Sequence, residues 1–349
     1  GGYGNDTFIG STFTGDIIYG GNAVAATYSG TDLTGLNITY GQIVLNENTY
    51  YQYVGNTSLT SITATTNFSS SSWVAHTYKG DTVDYSSLSS KVKLTLLDGD
   101  DPTIVQVGSN LTDHTLINIE NITGSNTAGD EITGNAGRNT ILGMGGADTI
   151  DGGAGADYLD GGDGTNTLSF ASFSSTGSIK VNLDTTSNLY GINQNSTSDG
   201  DTVLHFTNII GSDYISSGDT LIGDYQDNQI SGMAGNDLIV GGGGADNLLG
   251  GDGDDTFILG INDGLDTVNG QNGEGDTVDY SSLLSDESLD LTLKASNSTA
   301  TATVTKGSST YTDTIINIEN VKGGAGADII VGNSSVNTLW GNAGIDQLD

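Results

Sequence analysis

The sequence predicts an all-β fold, a solenoid of parallel strands wound into short stacked coils. Three observations lead there. A nine-residue unit recurs along the chain. Each unit offers one inward apolar position, too little for a core of its own, so units must stack. Between the units, Val, Ile, Leu and Thr alternate with polar residues, as in strands.

The unit comes first. Residues 134–169 divide without gaps into GNAGRNTIL, GMGGADTID, GGAGADYLD and GGDGTNTLS. Residues 223–258 give GDYQDNQIS, GMAGNDLIV, GGGGADNLL and GGDGDDTFI; residues 323–349 give GGAGADIIV, GNSSVNTLW and GNAGIDQLD; GGYGNDTFI opens the chain. Position 1 is Gly, position 6 is Asp or Asn, and position 8 is Ile, Leu or Phe in all twelve. Gly at positions 1, 2 and 4 permits a tight six-residue turn. The last three residues form a short strand whose middle side chain points inward. Two units make a coil of 18 residues. Ile141, Ile150, Leu159 and Leu168 then form two thin apolar ladders, as do Ile230, Ile239, Leu248 and Phe257.

Stacking also sets position 6 into columns. Asp130, Asp148 and Asn166 form one and Asn139 and Asp157 another; in the second block the columns are Asp219, Asp237, Asp255 and Asn228, Asp246. Neighbouring strands lie ~4.8 Å apart. Two carboxylates at that distance repel by ~1 kcal/mol in water and ~3 kcal/mol at an effective dielectric of 20. A divalent cation between them turns repulsion into attraction, and the Gly-rich turns leave carbonyl oxygens bare to complete its shell. Oxygen ligands without His or Cys favour Ca²⁺, several ions per chain.

Composition agrees. The formal charge is −35, and only six of 43 acids are Glu; the rest are Asp, whose short side chain suits turns and hard cations. A disordered acidic tract is the alternative reading, and the strict period and plentiful β-branched residues argue against it. With 8 basic residues there is no patch for nucleic acid or an anionic membrane. No Cys is present, which excludes disulfides and thiolate metal sites. No apolar run approaches the ~18 residues of a membrane helix, and no signal-peptide pattern opens the chain.

A larger repeat links the blocks. DTVDYSSL occurs at 81–88 and 276–283, and NIEN at 118–121 and 317–320; a degenerate copy runs through 165–173, 180–183 and 206–212. Alternating strands follow at 91–97, 179–183 and 289–293, read as wider coils of the same solenoid. Tyr85, Phe170 and Tyr280 hold one matched position and read as core aromatics. The expected order is a repeat at 1–21, an inserted β domain at 22–80 and linking coils at 81–133. A nonapeptide block at 134–169, linking coils at 170–222, a block at 223–258, linking coils at 259–322 and a block at 323–349 complete it. The chain is expected to continue beyond both ends.

The nonapeptides resemble the RTX (repeats-in-toxin) superfamily of bacterial exported proteins. The resemblance covers most of residues 81–349. It implies a β-roll, type I secretion, and folding only on meeting calcium outside the cell. It also implies position-6 ligands from successive coils together with carbonyls of the Gly-rich turns. Carried onto this chain, the expected ligands are Asp6, Asp16, Asp130, Asn139, Asp148, Asp157, Asn166, Asp219, Asn228, Asp237, Asp246, Asp255, Asp328 and Asp346. The turn glycines joining them are Gly143, Gly145, Gly152, Gly153, Gly155, Gly161, Gly232, Gly241, Gly243, Gly250 and Gly323. Departures lie at Asn139, Asn166, Asn228 and Asn337, which bring no charge, and in GNSSVNTLW, which lacks two turn glycines. Within residues 22–80, GQIVLNENTYYQYV followed by Trp73 resembles small chitin-binding-type modules. That implies glycan stacking on Tyr50, Tyr51, Tyr53 and Trp73; edge-strand aromatics are the plain alternative.

The superfamily spans toxins, enzymes, adhesins and surface-layer proteins, so the site must decide the function. His76, His114 and His205 stand alone, without H-E-x-x-H or G-x-S-x-G. No enzyme is expected. The leading reading is a calcium-dependent structural segment of a secreted bacterial cell-surface protein, either a surface-layer lattice protein or a long adhesin. Its partners are then copies of itself or other surface components. A glycan-binding adhesin module, or the calcium-binding tail of a secreted enzyme, are the alternatives.

Overall fold

A computed structural model describes residues 81–98, 101–108, 114–173, 178–184, 196–197, 200–261 and 263–349, with the strands of residues 7–76 given by their backbone. Within residues 22–80, four strands from Tyr28–Ser29 to Trp73–His76 form a sheet of their own. Among the described residues, every other strand joins one of two long sheets, of 14 and 16 strands. No helix occurs among the described residues.

The nonapeptide blocks wind as a β-roll. Thr140–Leu142 and Tyr158–Asp160 lie side by side and parallel in one sheet, with Ile141 opposite Leu159. Thr149–Asp151 and Thr167–Ser169 do the same in the other, with Ile150 opposite Leu168. Successive strands thus alternate between sheets, and the 18-residue coil follows. The middle residues form two ladders that run the length of the roll. One includes Ile122, Ile141, Leu159 and Val203, then Leu221, Ile239, Phe257, Val278 and Val321; the other includes Ile132, Ile150, Leu168, Ile209, Ile230, Leu248 and Val268. All are buried. Each side chain removed from water is worth about 1.5–3 kcal/mol, so the core is continuous but thin. Tyr85, Phe170 and Tyr280 close against it.

The linking segments differ from plain wider coils. Glu287–Thr292, Ala300–Lys306 and Ser309–Ile316 make an antiparallel meander set into the 16-stranded sheet. Its last strand pairs back to Thr267–Asn272 and its first pairs onward to Ile329–Val331, both in parallel. Val92–Thr95, Thr103–Val107 and His114–Ile117 repeat the arrangement. Lys180–Asn182, Ser196–Thr197 and Thr202–Leu204 repeat it in the other sheet. Alternation of apolar and polar residues announced the strands; their direction depends on loops that carry no periodic signal.

Candidate metal centre

The turns explain the repeat. Two residues before eight of the column positions the backbone takes φ between +115° and +132°, at Gly146, Gly155, Gly164, Gly235, Gly244, Gly253, Gly264 and Gly344. Side chains rarely reach that region. Position 2 has positive φ in several units and is less demanding in two of them, where Met144 (φ 75°) and Met233 (φ 74°) occupy it. Position 1 is Gly for a different reason. A side chain there would enter the space between coils. A Cβ on Gly143 would strike Asp148 Oδ2 and stand 2.6 Å from Gly161 O. One on Gly232 would strike Asp237 Oδ2 and stand 2.6 Å from Gly250 O. Gly250 repeats the pattern with Asp255 Oδ2 and Gly270 O.

The column residues are buried and linked. The N–H of Asp130 donates to Asp148 Oδ1 (2.7 Å), Asn139 to Asp157 (2.8 Å), Asp219 to Asp237 (2.7 Å), Asn228 to Asp246 (2.8 Å) and Asp237 to Asp255 (2.8 Å). One carboxylate oxygen therefore ties each coil to the coil before it. The other oxygen divides the sites into two kinds. At the first Asp of a block the protein satisfies it: Asp130 Oδ2 accepts from Ser125 N–H (2.6 Å), Asp219 Oδ2 from Ser212 (2.7 Å) and Asp328 Oδ2 from Gly324 (2.8 Å). At Asp148, Asp237, Asp246 and Asp255, Oδ2 is buried with no hydrogen-bond partner. Such an atom costs about 1–3 kcal/mol, more when charged.

Burial pushes these carboxyls up, to about 6 for Asp148, about 8 for Asp237, about 7 for Asp246 and about 6 for Asp255. At Asp237 the carboxylates of Asp255 and Asp219 add to the effect. The folded values lie above those of the unfolded chain, so apo stability is full at low pH and lost as pH rises through about 6 to 8. In chelator, acidification from pH 8 to pH 5 should therefore increase the far-UV circular dichroism signal of β structure. An unchanged signal would mean these carboxyls do not oppose folding.

The four Asn residues solve a local problem. Asn139 Nδ2 donates to Glu120 O (2.7 Å), Asn228 to Thr207 O (2.7 Å), Asn337 to Glu319 O (2.9 Å) and Asn166 to His205 O (3.0 Å). Each adjoins a linking segment in which Asn118, His205 or Asn317 takes a left-handed conformation and the backbone presents a carbonyl. A carboxylate there would face an acceptor; an amide donates to it.

The remaining expected residues fall as follows. Gly143, Gly152, Gly161, Gly232, Gly241 and Gly250 each bring a carbonyl against the glycine of the coil before. Gly153 and Gly155 hold positive φ, while Gly145 and Gly243 hydrogen-bond to the neighbouring turn. Gly323 stands against Asp328 Oδ2. Asp346 is half-buried and accepts from Asp328 N–H (3.1 Å). Asp6 lies outside the described residues, as do the side chains of Asp16, Tyr50, Tyr51, Tyr53 and Trp73.

The columns also run on where the sequence reading stopped. Asp157 N–H donates to Asp201 (2.8 Å), Asp246 to Asp266 (2.9 Å), Asp255 to Asp276 (2.8 Å), and Asp276 to Glu319 Oε2 (3.1 Å). Asp-Thr-Val at 201, 266 and 276 matches positions 6 to 8 of the unit and was the available signal. Among the described residues no three His, Cys, Asp or Glu side chains converge to hold a metal. The unpartnered carboxylate oxygens and the carbonyls opposite them fit a hard, oxygen-seeking ion such as Ca²⁺.

A family model described as the RTX calcium-binding nonapeptide repeat matches in four copies, over residues 133–168, 222–257 and 317–348. No curated protein matches the chain. Among solved structures, the extracellular lipase LipA from Serratia marcescens is 16% identical, with a TM-score of 0.19 over 61% of this chain. The match spans 43% of the lipase.

Proposed function

We propose that this chain, which carries RTX calcium-binding nonapeptide repeats, is a calcium-dependent structural segment of a secreted bacterial cell-surface protein. The observation that carries the reading is the set of buried, unpartnered Oδ2 atoms at Asp148, Asp237, Asp246 and Asp255. Each stands beside a Gly-rich turn with no room for a side chain. Calcium supplies the missing positive charge there, held by these carboxylates and by carbonyls such as Gly161 O and Gly250 O. The Asn positions are closed by the protein's own amides. With sites of Kd ~10⁻⁴–10⁻³ M, each ion at ten times its Kd adds ~1.4 kcal/mol. Four or more such ions reach the scale of a domain's stability, so binding and folding become one event.

The role is structural and not catalytic: the buried carboxylates are aligned along the roll axis and serve stacking. Outside the cell, where calcium is abundant, the segment is folded and stiff. A lattice subunit and a long adhesin both use such a segment. The test is far-UV circular dichroism of the chain titrated with calcium from chelator. A cooperative rise of β signal between ~0.1 and 5 mM, the range of extracellular sites, is expected. A β signal complete in chelator would overturn the reading. Electron microscopy in calcium then separates the two roles: sheets mark a lattice protein, extended monomers an adhesin.

A further inference from the structure

We infer that a further calcium site lies at Asp276, outside the matched nonapeptides, where the linking coil carries the column between two blocks. The inference rests on the calcium reading above. Asp276 is 1% exposed, and its Oδ2 is buried with no hydrogen-bond partner, as in the repeats. Its Oδ1 accepts from Asp255 N–H at 2.8 Å. The surroundings reproduce a nonapeptide turn. A Cβ on Gly270 would strike both Asp276 Oδ2 and the carbonyl oxygen of Asn317. A Cβ on Gly273 would strike Gly253 O and stand 2.9 Å from Asp276 Oδ2. Carbonyls of the coils before and after thus flank the space beside an unpartnered carboxylate oxygen. In sequence the turn is GQNGEGD, one residue longer than the unit, which shifts Asp from position 6 to position 7.

The neighbouring column shows what closure by protein looks like. Asp313 Oδ1 accepts from Asp266 N–H (3.1 Å), and its Oδ2 accepts from the buried Tyr280 hydroxyl (2.7 Å). There the phenol does what a cation would do. Nothing equivalent reaches Asp276 Oδ2. The two columns therefore part at the same level of the roll: one ends on Tyr280, and the other continues with an ion.

Equilibrium dialysis of the full chain against radioactive calcium, with circular dichroism to verify the fold, provides the test. At saturation Asp276→Asn should bind one calcium fewer than the unaltered chain, while Asp286→Asn, at an exposed position, keeps the full number. An Asp276→Asn chain that folds and retains the full number overturns the site. Should Asp276→Asn not fold, Asp276→Ser keeps a hydroxyl oxygen at the position and removes the charge; loss of one ion supports the site and retention overturns it. Asp237→Asn, run in parallel, separates the two readings. If it loses calcium while the Asp276 variants do not, the repeat sites stand and this site falls. If none loses calcium, both fall.

Discussion

Asp237→Ala will cost about 2–4 kcal/mol in saturating calcium and raise the calcium concentration at the folding midpoint, whereas Asp346→Ala will cost under about 1 kcal/mol. The difference follows from place in the column. Asp237 is 2% exposed, and its Oδ1 receives the N–H of Asp219 (2.7 Å). Removing the carboxylate strands that buried donor, at about 1–3 kcal/mol. It also removes the anion from a calcium site, worth ~1.4 kcal/mol at ten times Kd. Asp346 is half-buried and receives a longer bond, 3.1 Å, from Asp328. Urea midpoints at fixed free calcium, with a calcium titration of each variant, give both quantities. Equal costs at the two positions would contradict stacked columns.

Gly264→Ala will break the stack, at a cost above about 3 kcal/mol. Gly264 has φ +119°, and a Cβ there would overlap the carbonyl oxygen of Gly244 in the coil below. Strain at such an angle costs about 1–3 kcal/mol, and the collision with backbone cannot be relieved by a rotamer change. The coils must separate, which lengthens the ladder hydrogen bonds on both sides. Gly243→Ala is the matched contrast. Gly243 has an ordinary φ, and a Cβ on it would meet only Tyr225 Cα at 3.7 Å. It should cost about 0.5 kcal/mol or less. Both variants can be compared by thermal melting in calcium, and similar melting points would sink the account of why the turn needs its glycines.

The roll and its ladders were legible because a fixed period of nine states both the turn and the strand. Ile141, Ile150, Leu159 and Leu168 could be placed inside by counting alone. The continuing columns were not legible in the same way. Asp201, Asp266, Asp276 and Glu319 lie at spacings of 44, 20, 21 and 43 from their partners. No fixed period reaches them; only the Asp-Thr-Val echo does. The two kinds of Asp were also hidden. Asp130 and Asp148 read alike in sequence, and Ser125 distinguishes them only once the turn brings it to Asp130 Oδ2. The role of Asn139 depends on a carbonyl of Glu120, whose direction is set by the left-handed Asn118 and by no side chain.

The meanders have a consequence for how this architecture changes over time. A plain coil returns to its column after 18 residues, and the Glu287–Ile316 meander helps to delay that return to 47. By loop-closure entropy the longer excursion costs only about 0.8 kcal/mol more. Both its outer strands still present parallel edges to the coils above and below, so the stack does not register what lies between them. Such rungs are ports. New sequence can enter there, lengthen, and acquire a surface role of its own, while the glycines and carboxylates on either side keep their spacing.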